Sequence, residues 1–258
     1  MRENIRYKEL SDKVTALIKG KGCPIGIKML ASREEAKKLK VMPLEDNLAL
    51  CQAMKLASVY EKSRALYFEN VDACVVGSYI LGFGVPPSDI KERWVNGFNY
   101  TPERFDQLTR GIEAMPQRKY QAAIIAPLYE FDRLKQKPDA VVLFLNSAQA
   151  YLILVGYFDA VGKKPSSQIN GHAACEVLAA VANGKSPWLT LPCGGARSIA
   201  DAQDDELWLG MTAEELQTAL SRLEKTGFKY PAPVNQMVMS PMNPKHPLTY
   251  LIARQPPK

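Results

Sequence analysis

Pro138-Asp139-Ala140-Val141-Val142-Leu143-Phe144-Leu145-Asn146-Ser147-Ala148-Gln149 decides the fold class. The run from Ala140 to Leu145 is apolar throughout and too short for a typical helix. With Pro-Asp before it and Asn-Ser behind it, it reads as a buried strand. A small-residue and apolar segment follows at once, from Ser147 to Val161, and reads as a helix with Asn146 and Ser147 at its start. A strand that feeds directly into a helix is the unit of an α/β fold. Such a turn can present side chains and free amides to a ligand. Asn146 and Gln149 are therefore candidate cofactor-binding residues, while helix capping explains the same residue types, Ser147 above all.

Working outward, Ala122–Ala126 has the same buried-strand character. Pro24–Leu30 alternates Ile25, Ile27 and Met29 as a strand does. Arg64–Phe68 and Leu207–Met211 read as further strands, and Trp188–Leu191 as another. Leu10, Val14, Leu17 and Ile18 recur at helical spacing before Gly20. Ser32 with Glu35 and Thr212 with Glu215 make capping boxes; the second opens a helix with Leu216, Leu220 and Leu223 on one face, ending at Gly227. Asn47 is placed to cap a helix carrying Cys51, and a helix is expected over 172–182. Pro86-Pro87 is the clearest break, with helices expected over 88–96 and 102–115.

These elements predict an α/β (or α+β) protein: one unit over 1–258, a mixed sheet flanked by helices, and a helical insertion over 86–116. The proline-rich tail, 229–258, is expected to be an extended strap over the surface.

The 258 residues are 47% hydrophobic, enough for a large core, and the formal net charge is +6. The basic residues are dispersed, and no arginine-rich arm or nucleic-acid motif is present. A mildly basic surface favours an anionic small molecule or a redox partner. No run reaches the ~20 apolar residues needed to cross a bilayer, and the charged start Met1–Leu10 has no leader pattern, so the expectation is cytoplasmic. Homo-oligomerisation stays open. Phosphate-loop, dinucleotide, serine-hydrolase and zinc-protease motifs are absent, and Gly82-x-Gly84 runs into Val85 and prolines rather than a helix.

Leu191-Pro192-Cys193-Gly194-Gly195-Ala196-Arg197 carries the strongest chemical signal. A thiol sits where a strand stops. Gly194 and Gly195 behind it allow positive φ and close approach to the backbone, and consecutive amides in such a turn can hold an anion. Arg197 adds a planar cationic fork. Cys193 and Arg197 are thus catalytic candidates, with Gly194 and Gly195 as a binding wall.

Seven segments together resemble the domain of unknown function 169 (ArCR) family of archaea and bacteria. They are Cys51-Gln52-Ala53 with Lys55; Asp72-Ala73-Cys74; Pro127-Leu128; Pro138-Asp139; Asn146-Ser147-Ala148-Gln149; Ala174-Cys175-Glu176; and Leu191 through Arg197. The likeness runs from about Cys23 to about Glu224. It implies a prokaryotic protein and carries no established reaction.

Four of the five cysteines, Cys51, Cys74, Cys175 and Cys193, lie inside those segments, and Cys23 does not. Four thiolates are the ligand count of an iron–sulfur cluster or a structural zinc. The wide spacing is unlike compact Cys-x-x-Cys sites and demands that the whole fold gather the ligands. Iron–sulfur binding with a redox role is the leading expectation and zinc the lesser one. Arg197 or Lys55 would offset the charge of a tetrathiolate. Two alternatives stay open: a metal-free enzyme with Cys193 as its reactive thiol, its pKa lowered by Arg197, or a module that binds an anionic small molecule without chemistry. His172 is placed to share a helix face with Cys175. Asp204, Asp205 and Glu206 form an acidic run more often solvated than metal-binding.

Overall fold

The computed structural model describes residues 5–44, 47–71, 73–84, 88–165, 167, 169, 171–226 and 229–231. Asp72, Pro86-Pro87, Gly227, His246 and most of the proline-rich tail lie outside the described residues. The first third of the chain forms α1 (Tyr7–Leu17), β1 (Ile25–Leu30), α2 (Arg33–Lys38), α3 (Leu50–Val59), β2 (Arg64–Leu66), α4 (Phe68–Val71) and α5 (Val75–Ile80). Two helices fill the expected insertion, α6 (Ile90–Phe98) and α7 (Pro102–Thr109). The rest is β3 (Ala122–Pro127), α8 (Glu130–Leu134), β4 (Ala140–Leu145), α9 (Ser147–Val161), α10 (Glu176–Ala182), β5 (Trp188–Thr190), α11 (Gly194–Ile199), β6 (Leu207–Met211) and α12 (Ala213–Thr226).

The strands make one six-stranded sheet in the order β2-β3-β1-β4-β6-β5. Each of its pairings is antiparallel; the parallel contact among the described residues is an isolated bridge between Pro43 and Ala65. The expected mixed sheet is therefore antiparallel within the α/β class. Continuous apolar runs usually mark parallel strands because helices cover both faces of parallel sheets. Here helices cover both faces of an antiparallel sheet, so β3 and β4 are buried at every position.

Period-two alternation sorts the sheet's side chains into two cores. Ile25, Ile27, Ala123, Ile125, Val142, Phe144 and Trp208 point to one face, with α3 and α10 above them. Ile124, Ala126, Val141, Leu143, Leu145 and Leu209 point to the other, under α1, α8, α9 and α12. Gly210 lets α10 lie close on β6: a Cβ there would meet Val177 Cγ2 at 2.6 Å.

Local chemistry explains the element boundaries. Ser32 accepts from the Glu35 amide at 3.3 Å, and Thr101 caps α7 by accepting from the Arg104 amide at 3.2 Å with Pro102 at the first turn. Thr212 and Glu215 form their expected box at the start of α12. Asn47 does not cap α3. Its Oδ1 accepts from the Ala73 amide at 2.9 Å, while Ala49 takes the cap position and its amide donates to Gln52 Oε1 at 2.9 Å.

Candidate functional site

Four connections end on the first core face, and each delivers a cysteine to the start of a helix. Cys51 sits in the first turn of α3. Cys74 is the residue that precedes α5, Cys175 precedes α10 and Cys193 precedes α11. The expected helix over 172–182 thus begins three residues after Ala173, and Cys175 stands at its threshold rather than inside it. Packing of α11 and α5 against α3 draws three of these starts together. Gly77 permits the contact of α5 with α3, since a Cβ there would meet Leu50 Cβ at 2.8 Å. All four thiols belong to one apolar cluster, Cys51 and Cys175 buried and Cys74 and Cys193 half-buried at its margin.

The thiols feel one another. Cys175 lies beside Cys51 and holds it below the ordinary thiol range against the opposing effect of burial. Cys175 is raised by the same pairing with Cys51, by burial, and by the neighbouring Cys51, Cys193 and Cys74 sulfurs. Burial raises Cys74 too, and Cys51 and Cys193 push it further, while the Gly77 and Val76 amides oppose them. The amides of Gln52 and Cys51 point at Cys51 sulfur, and the Ala196 amide donates to Cys193 Sγ at 3.5 Å. The helices are short, so these local amides, rather than a long macrodipole, stabilise negative sulfur.

Cys23 is separate. Its thiol donates to the Ala57 and Ser58 carbonyls at the far end of α3, about 10 Å along the helix from Cys51 at 1.5 Å per residue. Burial, reinforced by Glu61, pushes it up to about 12.

Gly194 and Gly195 are the first residues of α11, in right-handed helical geometry, and neither has positive φ. The glycine turn is a helix start, capped by the Cys193 sulfur. Beside Gly194 there is nothing within 4 Å of where a Cβ would stand, and beside Gly195 only Cys193 Sγ at 3.9 Å, so bare backbone borders the thiol. Arg197 turns back on its own loop: it donates to the Pro192 carbonyl at 3.2 Å, the Gln203 carbonyl at 3.3 Å and Asp204 at 3.2 Å. Lys55 is buried and paired with Glu206 at 2.7 Å, whose Oε1 also accepts from Trp208 Nε1 at 2.7 Å. With Lys21 on Asp205, the three consecutive acids serve three different cations.

Asn146 and Gln149 form a reciprocal capping box on α9, 2.9 and 2.8 Å, and α9 packs on the opposite face of the sheet from the thiols. His172 joins an aromatic group instead of sharing a face with Cys175: its Nε2 lies 3.3 Å from the Tyr100 hydroxyl, and its ring is 6.3 Å from that of Trp94. Sequence reasoning did not anticipate that group, although Trp94 and Phe98 at i,i+4 on α6 were its signal. Among the described residues no three His, Cys, Asp or Glu side chains are arranged to hold a metal ion, and no helix is long and apolar enough to cross a membrane.

A family model, the domain of unknown function 169, described as uncharacterised ArCR, matches residues 13–222. An uncharacterized protein of Methanocaldococcus jannaschii, MJ0308, is 24% identical over 209 residues, covering 78% of this chain and 86% of the relative. No solved structure matches the chain. The match over most of its length places the chain in the domain of unknown function 169 (ArCR) family.

Proposed function

We propose that Cys51, Cys74, Cys175 and Cys193 ligate an iron–sulfur cluster, and that the protein serves a cytoplasmic one-electron redox process. The observation that carries this reading is that four separate helix starts on one core face each bear a cysteine, and that Cys51, Cys74 and Cys193 lie near enough to Cys175 to act on its ionisation. The donor set fits: four sulfurs, amides directed at Cys51, Cys74 and Cys193, and uncovered glycine backbone beside Cys193. Amide donors to ligand sulfur are the usual means by which a protein stabilises cluster charge and sets its potential.

A single zinc ion needs all four sulfurs about 2.3 Å from one point, whereas a cluster spreads its ligands over several metal atoms. When bound, the cluster supplies reversible one-electron transfer, with a soluble carrier as donor or acceptor. The chain's part is to hold the four sulfurs, shield them with Leu50, Val76 and Ala196 on the core side, and direct amides at them.

Protein purified or reconstituted without oxygen is expected to be brown, with iron and acid-labile sulfide in comparable amounts. Serine at any of the four positions is expected to lower both, and Cys23→Ser to leave them unchanged. Iron-free, colourless wild-type protein under those conditions overturns the reading. Fast, pH-shifted alkylation at Cys193 in such protein would then favour a reactive thiol.

A further inference from the structure

An apolar hollow opens beside α5, and none of the thiols lines it. Between α5 and the α6–α7 pair lies a cavity of about 360 Å³, within the range of small-molecule sites. Val76, Tyr79, Ile112, Trp94, Phe105 and Arg110 are among the residues that line it. Trp94 and Phe105 meet edge-to-face, with ring centroids 5.7 Å apart, so an aromatic edge and face are both already oriented toward a guest. Phe105 is buried, whereas Trp94 is half-buried although α6 buries no residue fully. That large ring is spent on lining a hollow rather than on filling a core.

Arg110 adds a charge to this apolar hollow. It ends α7, is exposed, and its guanidinium has no hydrogen-bond or ion-pair partner among the described residues, unlike Arg33, Arg93 and Arg133, which are each paired with a carboxylate. A planar cationic fork at the mouth of an apolar, ring-lined cavity matches one kind of guest, a flat apolar body that ends in a carboxylate or similar oxyanion. Val75 and Val76 also open α5, so the floor of the cavity continues directly from Cys74.

We propose that this cavity binds a small organic anion with an aromatic body, its rings between Trp94, Phe105 and Tyr79 and its anionic group on Arg110. The site stands whatever the thiols hold, so its test is separate from that of the cluster. The probes are 8-anilinonaphthalene-1-sulfonate and its uncharged counterpart, N-phenyl-1-naphthylamine, titrated into the full chain while tryptophan emission is followed. Because a bound probe also accepts energy from the buried Trp188 and Trp208, 4% and 0% exposed, quenching reports occupancy of the chain, and the variants at Arg110 and Thr109 locate the probe. Saturable binding of one sulfonate per chain is expected, about tenfold tighter than the amine, the effect of one charge-assisted hydrogen bond. Arg110→Gln should abolish that preference while leaving the amine's affinity unchanged. Thr109→Trp, which fills the hollow from its half-exposed side, should remove binding of both probes. Equal affinity of the two probes for the wild type, a preference that survives Arg110→Gln, or undiminished binding to Thr109→Trp overturns the proposal.

Discussion

Cys175 holds the thiol of Cys51 below the ordinary thiol range, although the two lie in different halves of the chain. One sits in the first turn of α3 and the other just before α10, and both helices cover the same face of the sheet. Their closeness makes the pair unequal: Cys51 is the easier of the two to ionise and Cys175 the harder, because burial and a neighbouring thiolate both oppose the second charge.

That inequality has a pH signature in reduced, metal-free protein. With Cys23, Cys74 and Cys193 replaced by serine, thiolate absorbance should rise in two separate steps, one below and one above the ordinary thiol value of about 8.5. The stability contribution of a lowered acid is complete above its unfolded pKa and fades as pH falls through its folded one. That of a raised acid is complete below the unfolded pKa and fades as pH rises through its folded one. The pair's contribution therefore peaks near the unfolded value and declines on both sides. Cys175→Ala should move the Cys51 step upward. A single step at the ordinary value would contradict the coupling of the two thiols.

Lys55 and Glu206 make a second buried relationship, at 2.7 Å with Trp208 also donating to the carboxylate. Removing one partner strands a charge in the core, so Glu206→Gln or Lys55→Met should each cost about 3–5 kcal/mol in urea unfolding. The double variant should cost clearly less than the sum, since it strands none. Strict additivity would show that the two do not act as a pair.

Local pattern carried most of the architecture. Strands β1, β3, β4 and β6 and the capped helices α2, α7 and α12 were legible because alternation, apolar runs and caps are near-neighbour properties. Strand direction was not, since a run buried on both faces looks the same in parallel and antiparallel sheets. The helix that begins at Gly194-Gly195 was not legible because glycine disfavours helix in isolation, whereas the Cys193 cap and the packing of α11 on α3 override that preference. The sequence named the four cysteines but not their meeting, which depends on helix packing across long separations. Arg197 and Lys55 suggested counter-ions, yet each has a nearer partner in Asp204 or Glu206 that only the folded chain brings into place.

Asn146 separates a capping role from a ligand role. Its side chain and that of Gln149 satisfy each other's amides, and Gln149 also donates to the Lys19 carbonyl. Asn146→Ala should lower stability by about 1 kcal/mol through loss of the cap and leave iron content per chain unchanged. A large loss of iron with little change in stability would assign Asn146 to the cofactor instead.

Gly77 sets the distance between two of the thiol-bearing helix starts. A methyl group there would meet Leu50 Cβ at 2.8 Å, an atom next to the backbone of α3 that has no rotamer by which to move away. Gly77→Ala should therefore force α5 off α3, cost about 1–3 kcal/mol as overpacking does, and separate Cys74 from Cys51. Iron retention should fall with it. Gly97, in α6, is the control, because nothing lies within 4 Å of where its methyl group would stand. Gly97→Ala should gain up to about 1 kcal/mol from helix propensity and keep full iron content. If both variants retained iron equally, the spacing of α3 and α5 would not matter to the four-thiol site.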